Sequence, residues 1–330
     1  MENYGSVKYA LMFFLLAMFV SLIFSKNKWV SLGELYKYVG GALVFVAVGS
    51  LSAADKKSVL SWILSAAFLV SLLAIYQYYF GFQHLLKNVA GAGPAESFAL
   101  DYITRRRPFL PFVTPNILAG YLAMTLPLAL VSKNKFWIGL FISAALLLTK
   151  SLGAILSVFA GLAIYFYLRG NLKKTGFAFL TGILITAVLV CIARSAMAKQ
   201  HTHPLFSLMM RLNYWGDALR IIAAYPLTGV GLGNFNLIYS RYAHNSYLQI
   251  WAETGVFGLA SFLWLATALV KTGLDNFMRS GNKKVVAGLI AAQCIFLFHN
   301  LFDFTFFLPE VSLIWWVING IIFPGDKTPA

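Results

Sequence analysis

The chain of 330 residues is 60% hydrophobic and 11% charged, with a mean hydropathy of +0.76. Globular domains carry roughly a quarter charged residues, so a soluble globule is excluded. A net charge of +15 raises nucleic acid as a partner, but the lysines and arginines sit in short connections between apolar runs. Retention on one side of a membrane and anionic headgroups account for them there, which sets nucleic acid aside.

Apolar runs measured against the roughly 20 residues that a bilayer demands predict helices at 8–24, 38–54, 58–82, 112–131, 136–149, 152–168, 176–193, 246–270, 284–302 and 305–323. The expected fold is therefore all-α, a polytopic integral membrane protein of about ten helices in one membrane domain over 1–330. The first run follows Lys8 in the manner of a signal peptide, yet Ser25 to Trp29 offers no small-residue cleavage pattern, so it reads as a helix. The break from Lys150 to Gly153 predicts a tight hairpin between the fifth and sixth helices. Cys191 and Cys294 lie inside apolar runs, which supplies neither a disulfide framework nor a Cys-based metal site.

Two connections, 83–111 and 194–245, are too rich in polar and turn residues to cross lipid. Within the second, Leu212, Trp215, Leu219 and Ile222 recur at helical spacing, predicting an amphipathic helix over 208–224 on the membrane–water boundary. Loops 55–57, 132–135, 169–174 and 271–284 together carry eleven basic residues. Placing them in the cytoplasm puts the N-terminus inside and both long connections outside.

On that outer side His244 precedes an apolar run, with Asn245 and Ser246 as helix-capping candidates and His244 itself expected in the first turn. At 100° per residue, Trp251, Gly255 and Gly258 share its stripe, the glycines admitting a neighbouring helix, while Glu253 projects to the opposite side. An imidazole there suits a general base, and an interfacial capping histidine is the other reading. Arg105, Arg106 and Arg107 contradict the positive-inside tendency ahead of the helix entry at Thr114, Pro115 and Asn116. Guanidinium groups clamp phosphate with paired hydrogen bonds, or they contact lipid headgroups. Lys150, Arg194, Lys199, Arg211, Arg220 and Arg241 are further outer cations, and Arg211 and Arg220, nine residues apart, project from opposite faces of one helix. Gly229, Gly231 and Gly233 follow no strand, which rejects a dinucleotide loop and leaves a chain-guiding turn or a backbone nest for an anion. His299 and Asp303 are spaced one turn apart, as an ionisable functional pair or as an internally satisfied one. No tight ligand spacing supports a metal, and no cofactor is expected.

The run HNSYLQIWAETGVFG fits an H-N-x9-G-x-x-G signature, and with PLTGVGLGNF before it the chain resembles the O-antigen ligase family of bacterial envelope glycosyltransferases, which includes O-antigen polymerase-like proteins. RRRPFLPFVTPNILAGYLAM, RLNYWGDALRIIAAYPLTGVG and HNLFDFTFFLPEVSLIWW agree in order, so the resemblance covers about residues 105 to 323. It implies metal-independent transfer of a glycan from an undecaprenyl-diphosphate carrier to an acceptor hydroxyl, on lipid A-core or on another glycan. The setting would be the periplasmic face of the bacterial inner membrane, among membrane lipids. By position, His244 would be the general base and Arg211 would hold the diphosphate, with Arg105, Arg107 and Lys150 as further diphosphate contacts. Asn116, Asn245, Trp251, His299 and Asp303 would support them. The family's T-x-S-R-G segment reads Thr149-Lys150-Ser151-Leu152-Gly153 here, with Leu152 in place of the arginine. A polymerase of the same family is the nearest alternative, and a membrane transporter is the alternative of another class.

Overall fold

A computed structural model describes residues 2–89, 102–132, 136–171, 206–235 and 241–323, together with the single positions 176, 184 and 188. The helix expected over 176–193 and the cations Arg194 and Lys199 thus lie outside the described residues, three isolated positions excepted. Every regular element among the described residues is helical. In chain order these are α1 (Glu2–Ile23), α2 (Lys28–Gly49), α3 (Ala53–Tyr76) passing through a π turn (Gln77–Gly81) into α4 (Phe82–Val89), α5 (Pro115–Val131), α6 (Phe136–Thr149) and α7 (Leu152–Leu168). There follow α8 (Phe206–Ala224), α9 (Ser246–Arg279), α10 (Lys283–His299), a 3-10 turn (Thr305–Phe307) and α11 (Pro309–Ile322).

Four stretches, Gly5–Ile23, Lys28–Gly49, Ala53–Leu85 and Ser246–Arg279, are long and apolar enough to cross a membrane. Helices α5, α6, α7 and α11 are apolar but have 14 to 17 residues. At 1.5 Å per residue they reach only about 21–26 Å, against a hydrocarbon core of about 30 Å. Several expected boundaries move. α2 starts ten residues before the expected 38 because Asn27, in extended conformation, caps it by accepting from Val30 N at 3.3 Å. Charges in this stretch pair on the helix itself, Glu34 with Lys37 at 2.7 Å. The helix expected to end at 270 continues to Arg279, and the one expected over 284–302 stops at His299.

The chain forms two compact units. The first comprises Met1–Ser52, Leu205–Val286 and Asn300–Ala330. In it α1 packs along α9, α2 on α11, and α8 on the start of α9. One face of α1, with Val7, Ala10, Phe14, Met18 and Ser21, is buried, while Tyr9, Met12, Phe13, Leu16, Phe19, Val20 and Ile23 are exposed along the other. Both faces are nearly apolar, which suits a helix packed on protein at one side and lipid at the other. Between apolar surfaces in lipid, close approach does what hydrophobic burial does in water. Gly41 accordingly lets the Trp316 indole lie flush on α2, in space that a Cβ would occupy.

The second unit comprises Ala53–Pro204 and Ala287–His299. α5 is its centre, with every residue buried except Asn116 and Leu130, as expected of a helix apolar on all sides. α6 packs on α5 and α3, and α7 packs on α5. The expected tight hairpin between α6 and α7 is a two-residue corner instead, because Lys150 takes φ 54° and turns the chain so that each helix packs chiefly on α5.

Candidate functional site

In the first unit the site is built around an interruption in α9. Gly255 has φ 69° and ψ −174°, a conformation open essentially to glycine alone. Helix geometry stops there and resumes at Val256, so the carbonyls of Ala252 and Glu253 lose their helical donors. Backbone acceptors at membrane depth need replacement partners, and the glycine loop supplies them. Val230 N donates to Ala252 O at 3.0 Å and Gly231 N to Glu253 O at 2.9 Å, joined by Ser21 Oγ at 2.9 Å. In return Val256 N donates to Pro226 O at 2.9 Å. Gly229, Gly231 and Gly233 all have positive φ, and a Cβ on any of them would overlap Glu253 and Thr254 backbone, Ser25, or the Glu34 side chain respectively. Gly233 N donates to Glu253 Oε2 at 2.9 Å. The glycine turn guides the chain, and its Gly233 amide is taken up by the protein's own Glu253 carboxyl group.

Opposite the expectation, it is the 225–229 turn that approaches Gly255, with Leu227 O in the place of a side chain, and Gly258 faces its own helix's Thr254. His244 likewise stands outside α9. Asn245 caps the helix, its Oδ1 accepting from Tyr247 N at 3.0 Å and Leu248 N at 3.1 Å, and Ser246 is the first helical residue. His244 has φ 51°, a left-handed conformation that costs an L-residue roughly 1–2 kcal/mol. The cost is sustained because both flanks are tied. Ser246 N donates to Asn300 O at 2.9 Å and Asp303 O at 3.1 Å, Ser246 Oγ donates to Asn300 Oδ1 at 2.6 Å, and Ala243 N donates to Gln249 Oε1 at 3.1 Å.

The imidazole stacks on Tyr214 of α8, with centroids 5.5 Å apart and planes at 20°, and meets Phe304 edge-on at 4.7 Å. Its Nδ1 is buried and makes no hydrogen bond among the described residues. Burial pushes the His244 pKa down to about 4, the Asp303 carboxylate opposes this, and the Arg211 guanidinium adds to it. The ring is therefore neutral near pH 7, with a nitrogen able to accept a proton. Arg211 is half-buried, whereas the Arg220 side chain is 82% exposed and pairs with Asp217 at 2.7 Å, so the two do project differently. Arg241 is held by Glu34 at 3.1 Å.

α8 departs in part from the expected amphipathic pattern. Tyr214, Ala218 and Ile222 are its buried stripe, while Leu212 and Leu219 are more than half exposed. Trp251 packs, with Ile221 and Leu248, on the cluster of Ala218, Ile222, Phe235, Ala243 and Ala252, rather than continuing a stripe from His244. The reason is that His244 lies outside α9, so the helical projection does not extend to it. His299 and Asp303 do not sit one helical turn apart either. Both are buried, but α10 ends at His299, and Asp303 uses Oδ1 to accept from Phe304 N at 2.9 Å.

The second unit gathers its own basic cluster. Arg107 donates through Nε to Thr149 O at 2.8 Å and through its terminal nitrogen to Asn116 Oδ1 at 2.9 Å. Lys150 Nζ donates to Arg105 O at 2.9 Å. Burial lowers the Lys150 pKa, and the charges of Arg107, Arg105 and Arg106 lower it further, the mark of cations gathered in one place. Arg106 and Lys150 both adopt positive φ, so the cluster is held at some backbone strain. Arg105, Arg107, Lys150 and Asn116 thus come together as one group, and His244 with Arg211 and Asp303 as another.

Sequence reasoning missed Tyr214, Phe304 and Gln249. Tyr214 reaches His244 from α8 and Phe304 from the segment ahead of the 3-10 turn, and neither carries a local signal. Glu253 was set aside as a partner for His244, yet a carboxylate in an apolar helix is itself a signal for a specific polar partner.

Compared with protein families, residues 137–263 match the O-antigen ligase family, a stretch that contains Lys150, Arg211, His244 and Glu253 and that is therefore O-antigen ligase-like. No curated protein matches the chain.

Proposed function

Taking residues 137–263 as O-antigen ligase-like, we propose that the protein is a ligase-type glycosyltransferase. It moves a glycan from a polyprenyl diphosphate, of the undecaprenyl kind, to an acceptor hydroxyl of lipid A-core at the periplasmic face of the inner membrane. The hydroxyl oxygen attacks the anomeric carbon and the bond from that carbon to the diphosphate oxygen breaks. The bonding pair leaves on the diphosphate, and the hydroxyl proton passes to His244. The observation that carries this reading is the setting of His244: a ring stacked on Tyr214, with a buried Nδ1 that has no hydrogen-bond partner among the described residues, beside the charge of Arg211.

A base whose pKa is held near 4 is weak in the empty protein. An arriving diphosphate changes that, because its negative charge offsets Arg211 and makes protonation of the ring easier. Binding of the donor and activation of the base are thereby coupled. Arg105, Arg107 and Lys150, with Asn116 steadying Arg107, form a second anion-binding group suited to phosphate oxygens. Leu152 removes the family's bidentate clamp from this group, and Lys150 replaces it by a point charge.

The test is transfer by purified protein in vesicles supplied with a polyprenyl-diphosphate-linked glycan and a lipid acceptor. Glycan is expected on the acceptor, with one polyprenyl diphosphate released per glycan moved, and Arg211→Ala is expected to raise the donor KM. Glycan joined only to further glycan would replace ligase by polymerase. Solute uptake without any donor lipid, and no transfer, would sink the proposal in favour of a transporter.

A further inference from the structure

The residue before His244 is tied to a side-chain line that runs through the first turns of α9 to the glycine loop. Ala243 N donates to Gln249 Oε1 at 3.1 Å, Gln249 Nε2 donates to Glu253 Oε1 at 2.9 Å, and Gly233 N donates to Glu253 Oε2 at 2.9 Å. Gln249 and Glu253 are 2% and 1% exposed, so water does not compete for these bonds. The line has a fixed polarity. A backbone N–H only donates, so Gln249 must turn its carbonyl to Ala243 and its amide hydrogens to residue 253. That residue then meets donors at both ends, from Gln249 and from Gly233, and a carboxyl group offers an oxygen to each.

We infer that Gln249 and Glu253 are positioning residues for His244: they fix its backbone corner from the N-terminal side, as Asn245 and Ser246 fix it from the other. This rests on the reading of His244 as the base. Neither side chain needs to touch substrate. Their role is to hold a left-handed histidine between Tyr214 and Phe304, and a displacement of about 1 Å of a reacting group costs roughly 10²-fold in rate.

The fixed polarity gives a sharp test. Glu253→Gln places an amide against two donors, so one bond of the line fails whichever way it turns. Gln249→Leu breaks the line at its middle. The double variant Gln249→Glu with Glu253→Gln restores every bond, with only the middle one reversed. Glu at 249 accepts from Ala243 N and from the new amide, whose carbonyl accepts from Gly233 N. The readout is the imidazole resonance of His244 in full-length protein carrying labelled histidine, one of five in the chain and identified by its loss in His244→Gln. Transfer kinetics are measured beside it.

Each single variant is expected to move or broaden that resonance and to lower kcat by about 10- to 100-fold, with donor KM within about twofold. The double variant is expected to recover both. An unchanged His244 resonance in the single variants would overturn the inference, as would a double variant no better than the singles. Should the single variants fail to fold, the double variant must fold with the wild-type resonance, or the inference falls. If the resonance behaves as expected but His244→Ala transfers like wild type, the positioning stands and the base assignment fails.

Discussion

His244 gathers its properties from residues far apart in the chain. Asn245 and Asp303 were legible near it from capping preference and ionisable character in an apolar setting, and Arg211 was legible as one of two oppositely directed cations. Tyr214 and Phe304, which bury the ring, were not, since an aromatic residue 30 or 60 positions away says nothing of stacking until helices pack. Burial makes a definite prediction for pH. Between the ordinary value of 6.5 and the folded value of about 4, the unfolded chain binds a proton that the folded chain does not. Stability contributed at this site is therefore full above pH 6.5 and declines as pH falls toward 4. Thermal unfolding measured at several pH values should show a shallower decline for His244→Gln than for wild type, and equal slopes would contradict the assigned environment. At the other cluster, Leu152→Arg should lower the donor KM, measured as transfer rate against donor concentration, because it restores a bidentate donor beside Lys150.

At the scale of elements, apolar runs were easy to see, and their ends were not. α2 begins within charged sequence because Glu34 finds Lys37 and Arg241, partners that make a loop-like stretch acceptable in a helix. The interruption at Gly255 was invisible because apolar residues continue on both sides of it, and only the displaced carbonyls of Ala252 and Glu253 reveal what the glycine loop is for. Gly255→Ala tests this directly. It forces a side chain into a glycine-only conformation, at about 1–3 kcal/mol of strain, and into Leu227 O. A lowered unfolding midpoint is expected, and with it loss of transfer, because the loop and the His244 corner hang on the same break. Retention of both would show that α9 tolerates a regular helix through 255.

At the scale of the whole molecule, the outward faces of α1 and α2 carry large apolar residues, with Trp29 83% and Leu43 65% exposed, a surface built for lipid rather than water. The class was legible from composition, as apolar content leaves little else possible. The division into two units was not, because the second unit is completed by residues 287–299, which come from the far end of the sequence. The basic loops propose an orientation with Arg241 outside and Ser280 inside. In a cysteine-free background, Arg241→Cys should react with a membrane-impermeant maleimide applied to the side away from the basic loops, and Ser280→Cys should not. The reverse pattern would place the site in the wrong compartment for a lipid-linked donor.

With His244 proposed as the group that takes the acceptor proton, single-turnover transfer of a prebound polyprenyl-diphosphate glycan isolates that step from donor binding. His244→Ala is predicted to bind the donor with unchanged affinity and to transfer it about 10²–10⁴ times more slowly than wild type; transfer at the wild-type rate with donor bound would contradict it.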